Sequence, residues 1–396
     1  MVRRDLLILA LALAGGHAIA APDNSFTAFL DALWPDAAAR GITRATFDAA
    51  LAGLTPDPAV LGAMRREPEY GKPYAAYLAG LVSRSRIAIG QRKASQWADT
   101  LSAVERRFGV DESILVSIWG IESSFGEAAD HWDTFRSLAT LAHARFQHPY
   151  FRDELLSAMK ILQDGHIPRR QFLGSWAGAM GQAQFMPSSF LTYAVDFDGD
   201  GRADIWRSVP DVLASIANYL RKSGWRPGLP WGFEIVVPPR FDFRMSRGTF
   251  GDFAQRDFAR AGGGEFPSGA GAGSVILFFP SGAGGPAFLV SENFVVLKRY
   301  NNSDAYALAI GELSDRISGL GPIRRAWPAD DFQPSREERI ALQRKLADLG
   351  YPVADFTGHL DFELRDAIRK LQTRFGMTAD GHPSRAFLAR IGVQLP

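Results

Sequence analysis

Glu122 is the residue whose setting in this chain most plainly asks for chemistry. It follows "SILVSIWGI" (113–121), the most apolar run after the N-terminal segment, and precedes "SSFG". Glutamate is rarely fully buried unless it is paired or functional. Flanked by Ile118, Trp119 and Ile121, the carboxyl should be partly desolvated, which disfavours its charged form. A carboxylic acid kept protonated in this way can donate a proton to a leaving oxygen. A surface glutamate on the polar side of an amphipathic helix is the plain alternative, and this stretch alone leaves both open.

Two further stretches carry unusual chemistry. "GSWAGAMGQAQFMPSSF" (174–190) combines small residues, amides, hydroxyls and aromatics with almost no charge. That composition suits a groove for a neutral polar ligand such as a sugar, whose edges bond to amides and whose faces lie on rings. A tight Gly/Ala packing contact would read similarly. "DFDGDGRAD" (196–204) begins D-x-D-x-D-G, as calcium loops do. Asp196, Asp198 and Asp200 would offer hard oxygen ligands, and the carbonyl of Arg202 falls at the seventh position. The usual closing glutamate would be residue 207, where this chain has Arg207. An Asp/Gly turn without metal is the alternative, and Na⁺ or Mg²⁺ could stand in for Ca²⁺.

Elements must position these groups. From Phe26 to about Tyr193 the pattern is mainly helical, with "KASQWADTLSAVERRFG" stopping at Gly109 and Asp111 expected to cap the helix that carries Glu122. "ELLSAMKILQDG" and "VPDVLASIANYLRKSGW" are further amphipathic helices. Beyond Trp225, "FEIVVPP", "GSVILFFP" and "FVVLKRY" read as strands between Gly-rich loops, a β-rich subdomain over about 232–300. Prolines at 322, 328 and 334 suggest a linker at 326–335. A compact module follows at 336–396, in which Leu364, Ile368, Leu371 and Phe375 share a helix face, and Asp361 and Ser384 should be N-caps.

The chain has 396 residues, long enough for two or more domains. With 44 Lys+Arg against 43 Asp+Glu, no bulk charge favours nucleic acid or anionic lipid. "MVRR", "LLILALALA" and "AIA" form a signal-peptide pattern with cleavage expected after Ala20. Its apolar core is too short for a transmembrane anchor. With no cysteine anywhere, thiol catalysis, Cys zinc sites, disulfides and a lipidated cysteine are excluded. A soluble, unlipidated periplasmic protein is expected.

"WGIESSFG", "SLATLA", "GSWAGAMGQAQFMPSSF", "YAVDFDGDG", "SIANYLRKSGW" and "RYNNS" occur in one order over roughly residues 30–320. Together they resemble the lytic murein transglycosylases, in particular the soluble B type. "LQRKLADLGY", "LRDAIRKLQTRFG" and "ADGHPS" are similar to the small peptidoglycan-binding domain. The resemblance implies an α+β, mainly helical fold: a lysozyme-like core over 21–325 with a small β-rich subdomain, then a three-helix wall-binding module. It also implies that Glu122 is the single acid/base, that Ser175 and Gln184 position glycan, and that Tyr219, Tyr300 and Asn301 line the same cleft. The family's acidic loop closes with an aspartate that maps onto Asp211, although this loop is one residue longer.

The implied substrate is the glycan strand of peptidoglycan, cut at the β-1,4 bond between N-acetylmuramic acid and N-acetylglucosamine to leave a 1,6-anhydromuramyl end. No catalytic cofactor is implied, only a structural Ca²⁺. A hydrolytic muramidase is the rival, and would need a second carboxylate such as Glu127, Asp130 or Asp133. A non-catalytic wall-binding protein is the rival from another class, but a binding groove has no need of a desolvated acid. Neither protein partners nor oligomeric state can be read from the chain.

Overall fold

The computed structural model describes residues 24–64, 71–128, 131–145, 148–239, 241–243, 245–268 and 273–393. The expected signal peptide at 1–20 and Asp130 lie outside them. Among the described residues no helix is long and apolar enough to cross a membrane. The architecture is α+β and mainly helical.

The helix Glu112–Ser123 is the axis of the larger core. Every side chain from Ile114 to Trp119 is buried. A helix that is apolar all round needs partners all round. It has them in Arg84–Gln96, Ala98–Phe108, Val209–Lys222 and Asp304–Ile317. Gly109 ends the preceding helix in the left-handed region (φ 73°), as the pattern predicts. Two local expectations change. "KASQWADTLSAVERRFG" is broken at Trp97 into two helices. Asp111 occupies the N-cap position without a side-chain cap. The orphan N–H of Glu112 goes instead to Glu105 Oε2 at 3.3 Å, so a neighbouring helix supplies the acceptor.

Strands β1 (Trp132–Asp133) and β2 (Leu173–Gly174) form a small antiparallel pair. Five more make one antiparallel sheet: β3 (Gly232–Val236), β4 (Arg247–Thr249), β5 (Ala259–Arg260), β6 (Ser274–Phe278) and β7 (Ala287–Ser291), in the order β4-β6-β7-β3-β5. Leu289 of β7 sits opposite Phe233 on one side and Leu277 on the other.

"FVVLKRY", expected as a strand, is instead part of the helix Glu292–Tyr300. Ser291 caps it by accepting from Asn293 N, and Asn293, Val296, Leu297 and Tyr300 recur on its buried face at helical spacing. The strand actually present is β7, "AFLVS", buried along its whole length. Short apolar runs carry no period that separates helix from strand, and only pairing on both edges fixes β7.

The C-terminal module contains helices Arg336–Asp348, Phe362–Arg374 and Arg385–Arg390, with Ser335, Asp361 and Ser384 each capping by side-chain oxygen. Leu342, Leu346, Leu364, Ile368, Leu371 and Phe387 fill its core. The module is docked on the rest of the chain: Phe362 lies 5.7 Å from Phe278, Arg247 pairs with Asp366 at 2.9 Å, and Arg369 Nη2 donates to Leu277 O at 2.6 Å. The Pro-rich segment before it is pinned too. Trp327 stacks on Tyr74 at 5.8 Å, and Gln333 Nε2 donates to Pro280 O at 3.1 Å.

Candidate active site

Glu122 is half-buried in the last turn of its helix. The chain then turns sharply. Ser124 (φ 50°) and Phe125 (φ 63°) are consecutive non-glycine residues in the left-handed region. Such strain persists where surrounding packing over-determines it. Here the buried Phe125 ring is fixed edge-on against Trp119, at 5.6 Å between centroids.

Tyr306, in the first turn of Asp304–Ile317, donates its hydroxyl to Glu122 Oε1 at 2.5 Å. Burial first, then the charge of Glu122, pushes the Tyr306 phenol well above its usual 10, so the hydroxyl keeps the proton it donates.

The stretch 174–186 is not helical. It folds back on itself through bridges between Gly174 and Met180 and between Met180 and Phe185. A Cβ at Gly174 would meet Ala179 O at 2.3 Å, so only glycine admits this close approach. Ser175 Oγ accepts from Ala177 N (3.3 Å) and Ala179 N (3.1 Å), which holds the turn. Gln184 sits at φ 49° with Nε2 on Gly181 O at 2.9 Å. Tyr300 lies beneath, its hydroxyl donating to Ala183 O at 2.6 Å, and Tyr219 donates to Arg299 O. Both rings are buried and pack with Phe185 as an aromatic floor. Asn301 is half-buried between the helix that ends at Tyr300 and the one that begins at Asp304.

Gln182 is the link that sequence reasoning missed. Its Oε1 accepts from Trp119 Nε1 at 2.8 Å, its Nε2 donates to Trp206 O at 2.8 Å, and its backbone N–H donates to Ile205 O at 2.8 Å. One amide thus joins the Glu122 helix, the glycine-rich turn and the end of the acidic loop. Tyr306 was missed as well. The only signal for it was its place at the third position of a helix capped by Ser303.

In the acidic loop, carboxylate oxygens of Asp196, Asp198 and Asp211 lie within 4.8 Å of one another. Asp200 is outside that group and faces Arg202 at 3.6 Å. Asp211, fully buried, accepts from the backbone N–H of Phe197, Asp198 and Asp204, which closes the loop from the first turn of Val209–Lys222. Burial pushes the Asp211 carboxyl up, and those three N–H groups pull against it. Three converging carboxylates are a donor set that fits a hard divalent cation.

Of the carboxylates near Glu122 in sequence, Glu127 is exposed. Asp133 is engaged on both oxygens, capping Thr134–Ala144 through Arg136 N (3.1 Å) and pairing with Arg169 (2.9 Å).

Comparison with known proteins gives the chain its relatives. The transglycosylase SLT domain model matches residues 25–315, and the peptidoglycan binding domain model matches 335–391. Membrane-bound lytic murein transglycosylase B of Escherichia coli (strain K12) is 31% identical over 242 residues, 57% of this chain and 62% of that protein, so the match spans less than two thirds of this relative. SltB3 from Pseudomonas aeruginosa, in complexes with NAG-anhNAM-pentapeptide and with NAG-NAM-pentapeptide, superposes with a TM-score of 0.84 at 45% identity. That match covers 92% of this chain and 99% of SltB3. Escherichia coli Slt35 in complex with calcium shares the fold at TM-score 0.61 and 24% identity, over 75% of this chain and 94% of its own. The chain therefore belongs to the transglycosylase SLT domain family and carries a peptidoglycan binding domain at its C-terminus.

Proposed function

We propose that this protein is an exported lytic transglycosylase that cleaves peptidoglycan glycan strands between N-acetylmuramic acid and N-acetylglucosamine. The observation that carries this reading is one carboxyl, Glu122, oriented by a protonated tyrosine at the mouth of a turn built from amides and hydroxyls. With Oε1 held by Tyr306, the proton is carried on Oε2 and passes to the bridging oxygen as positive charge develops at the muramyl anomeric carbon. The carboxylate so formed takes the proton of the muramyl 6-hydroxyl, whose oxygen bonds to that carbon. No water is consumed. Intramolecular attack profits from a high effective molarity and needs no second carboxylate. The commitment of Asp133 to Arg136 and Arg169 supports this over hydrolysis. Asp196, Asp198 and Asp211 would hold a structural Ca²⁺ that ties the acidic loop to the turn, outside the chemistry. Export rests on the N-terminal sequence alone and is checked by the N-terminus of the mature protein.

The experiment is product analysis on purified cell wall in ¹⁸O-water. Released muropeptides should be non-reducing and unlabelled at the muramyl end, and Glu122→Gln should lower turnover by on the order of 10²–10⁴-fold with the fold intact. Reducing, labelled muramyl ends would refute the transglycosylase and promote Glu127 or Asp130.

A further inference from the structure

The C-terminal module reaches Glu122 through Arg365, Asp304 and Tyr306. Arg365, on the Phe362–Arg374 helix, places Nη2 2.7 Å from Asp304 Oδ2, and both side chains are buried. Asp304 is the first residue of Asp304–Ile317, and its Oδ1 lies 2.6 Å from Lys298 Nζ of the helix Glu292–Tyr300. Two residues further on, Tyr306 holds Glu122. Burial pushes the Asp304 carboxyl up, but the Lys298 and Arg365 charges outweigh it and hold it at about 2. The ion pair is therefore intact across ordinary pH.

We propose that Arg365 of the peptidoglycan binding domain is a positioning residue for the reaction, acting through Asp304 and the first helical turn to hold Tyr306 on Glu122. This rests on the reading of Glu122 as the acid/base. A module that only raised local concentration at the wall would need a tether and no buried ion pair. Buried pairs contribute little to net stability over apolar contacts, whereas removing one partner strands a charge. Without Arg365, Asp304 relaxes toward Lys298 and carries the first turn with it. The Tyr306 hydrogen bond weakens steeply once its geometry departs from the optimum. The module thereby makes the acid's orientation depend on the Arg365–Asp304 pair.

The test uses the full-length protein and a short soluble glycan, with kcat, KM and the pH–rate profile measured for each variant. Arg365→Gln should lower kcat about 3- to 30-fold, the range of such indirect couplings, with KM within about twofold. Weakening a hydrogen bond to the ionised carboxyl favours the protonated acid, so the alkaline limb should move to higher pH, as it should for Tyr306→Phe. The double variant should be no slower than Tyr306→Phe alone, and Arg365→Lys should restore most of the loss. Arg247→Gln loosens the exposed Arg247–Asp366 contact without touching Asp304, and should behave as wild type.

The proposal is overturned if Arg365→Gln alters only KM or wall retention, if the two losses multiply, or if Arg247→Gln reproduces them. Should Arg365→Gln fail to fold, Asp304→Asn weakens the same ion pair from its other side, and its cycle with Tyr306→Phe decides on additivity in the same way. Product ends read in the same assay keep the two readings apart: reducing ends sink the transglycosylase and leave the coupling standing. Near wild-type turnover of Glu122→Gln removes both.

Discussion

Gly126→Ala tests whether Gln182 locks the Glu122 helix to the glycine-rich turn. Gly126 has φ +83°, and a Cβ there would lie 2.4 Å from Gln182 Oε1. Left-handed backbone costs a non-glycine residue about 1–2 kcal/mol. Gln182 must also yield, although both ends of its amide are bonded. If Oε1 moves, the Nε1 of Trp119, a residue only 1% exposed, loses its acceptor. An orphaned buried donor costs about 1–3 kcal/mol. The total is roughly 2–5 kcal/mol.

Gly165→Ala isolates the backbone part, because Gly165 has φ +78° and nothing within 4 Å of the added carbon. At roughly 2 °C per kcal/mol for a unit this large, Gly126→Ala should melt roughly 4–10 °C below wild type and Gly165→Ala roughly 2–4 °C. Turnover should separate them further. Gly126→Ala should lose about 10- to 100-fold through misplacement of the acid, while Gly165→Ala keeps its rate. Thermal scans and assays on the same preparations read both. Equal melting temperatures with undiminished turnover of Gly126→Ala would show that Gln182 does not couple the two elements.

Other outcomes follow from the same geometry. Ca²⁺ added to metal-free protein should raise the melting temperature, by about 2.7 kcal/mol of stability at a hundredfold excess over Kd. Asp211→Asn should abolish the rise, and a calcium-independent melting curve of the wild type would remove the ion from the acidic loop. Glu312, buried beside Asp315, is pushed up from 4.5 to about 7 by burial and that neighbour's charge, against Arg316 and the N–H of Ile323. The folded state therefore holds an extra proton between those values, and stability falls as pH rises through them. Glu312→Gln should melt higher than wild type at pH 8 by an amount that disappears near pH 5. An equal gain at both values would refute the assignment.

Much of this molecule is legible along the chain because it rests on local rules. The stop at Gly109, the caps at Asp361 and Ser384, and the buried face of Leu364, Ile368 and Leu371 each depend on a few neighbouring residues. Glu122 stood out because an acid beside an apolar run is rare whatever the fold. Other features needed the third dimension. β7 and the helix after it are both short apolar runs, and only pairing with β3 and β6 made one of them a strand.

Tyr306 is 184 residues from Glu122 in sequence, and Gln182 is 63 from Trp119. No local pattern ties either residue to the partner it bonds. The sequence also suggested a module joined through a Pro-rich linker. Burial of Arg365 against Asp304 and the stacking of Trp327 on Tyr74 make it part of the framework around the acid. Hydrogen bonds and ion pairs between distant segments form only after packing brings the chain together, so composition and spacing can announce the acid but not what aims it.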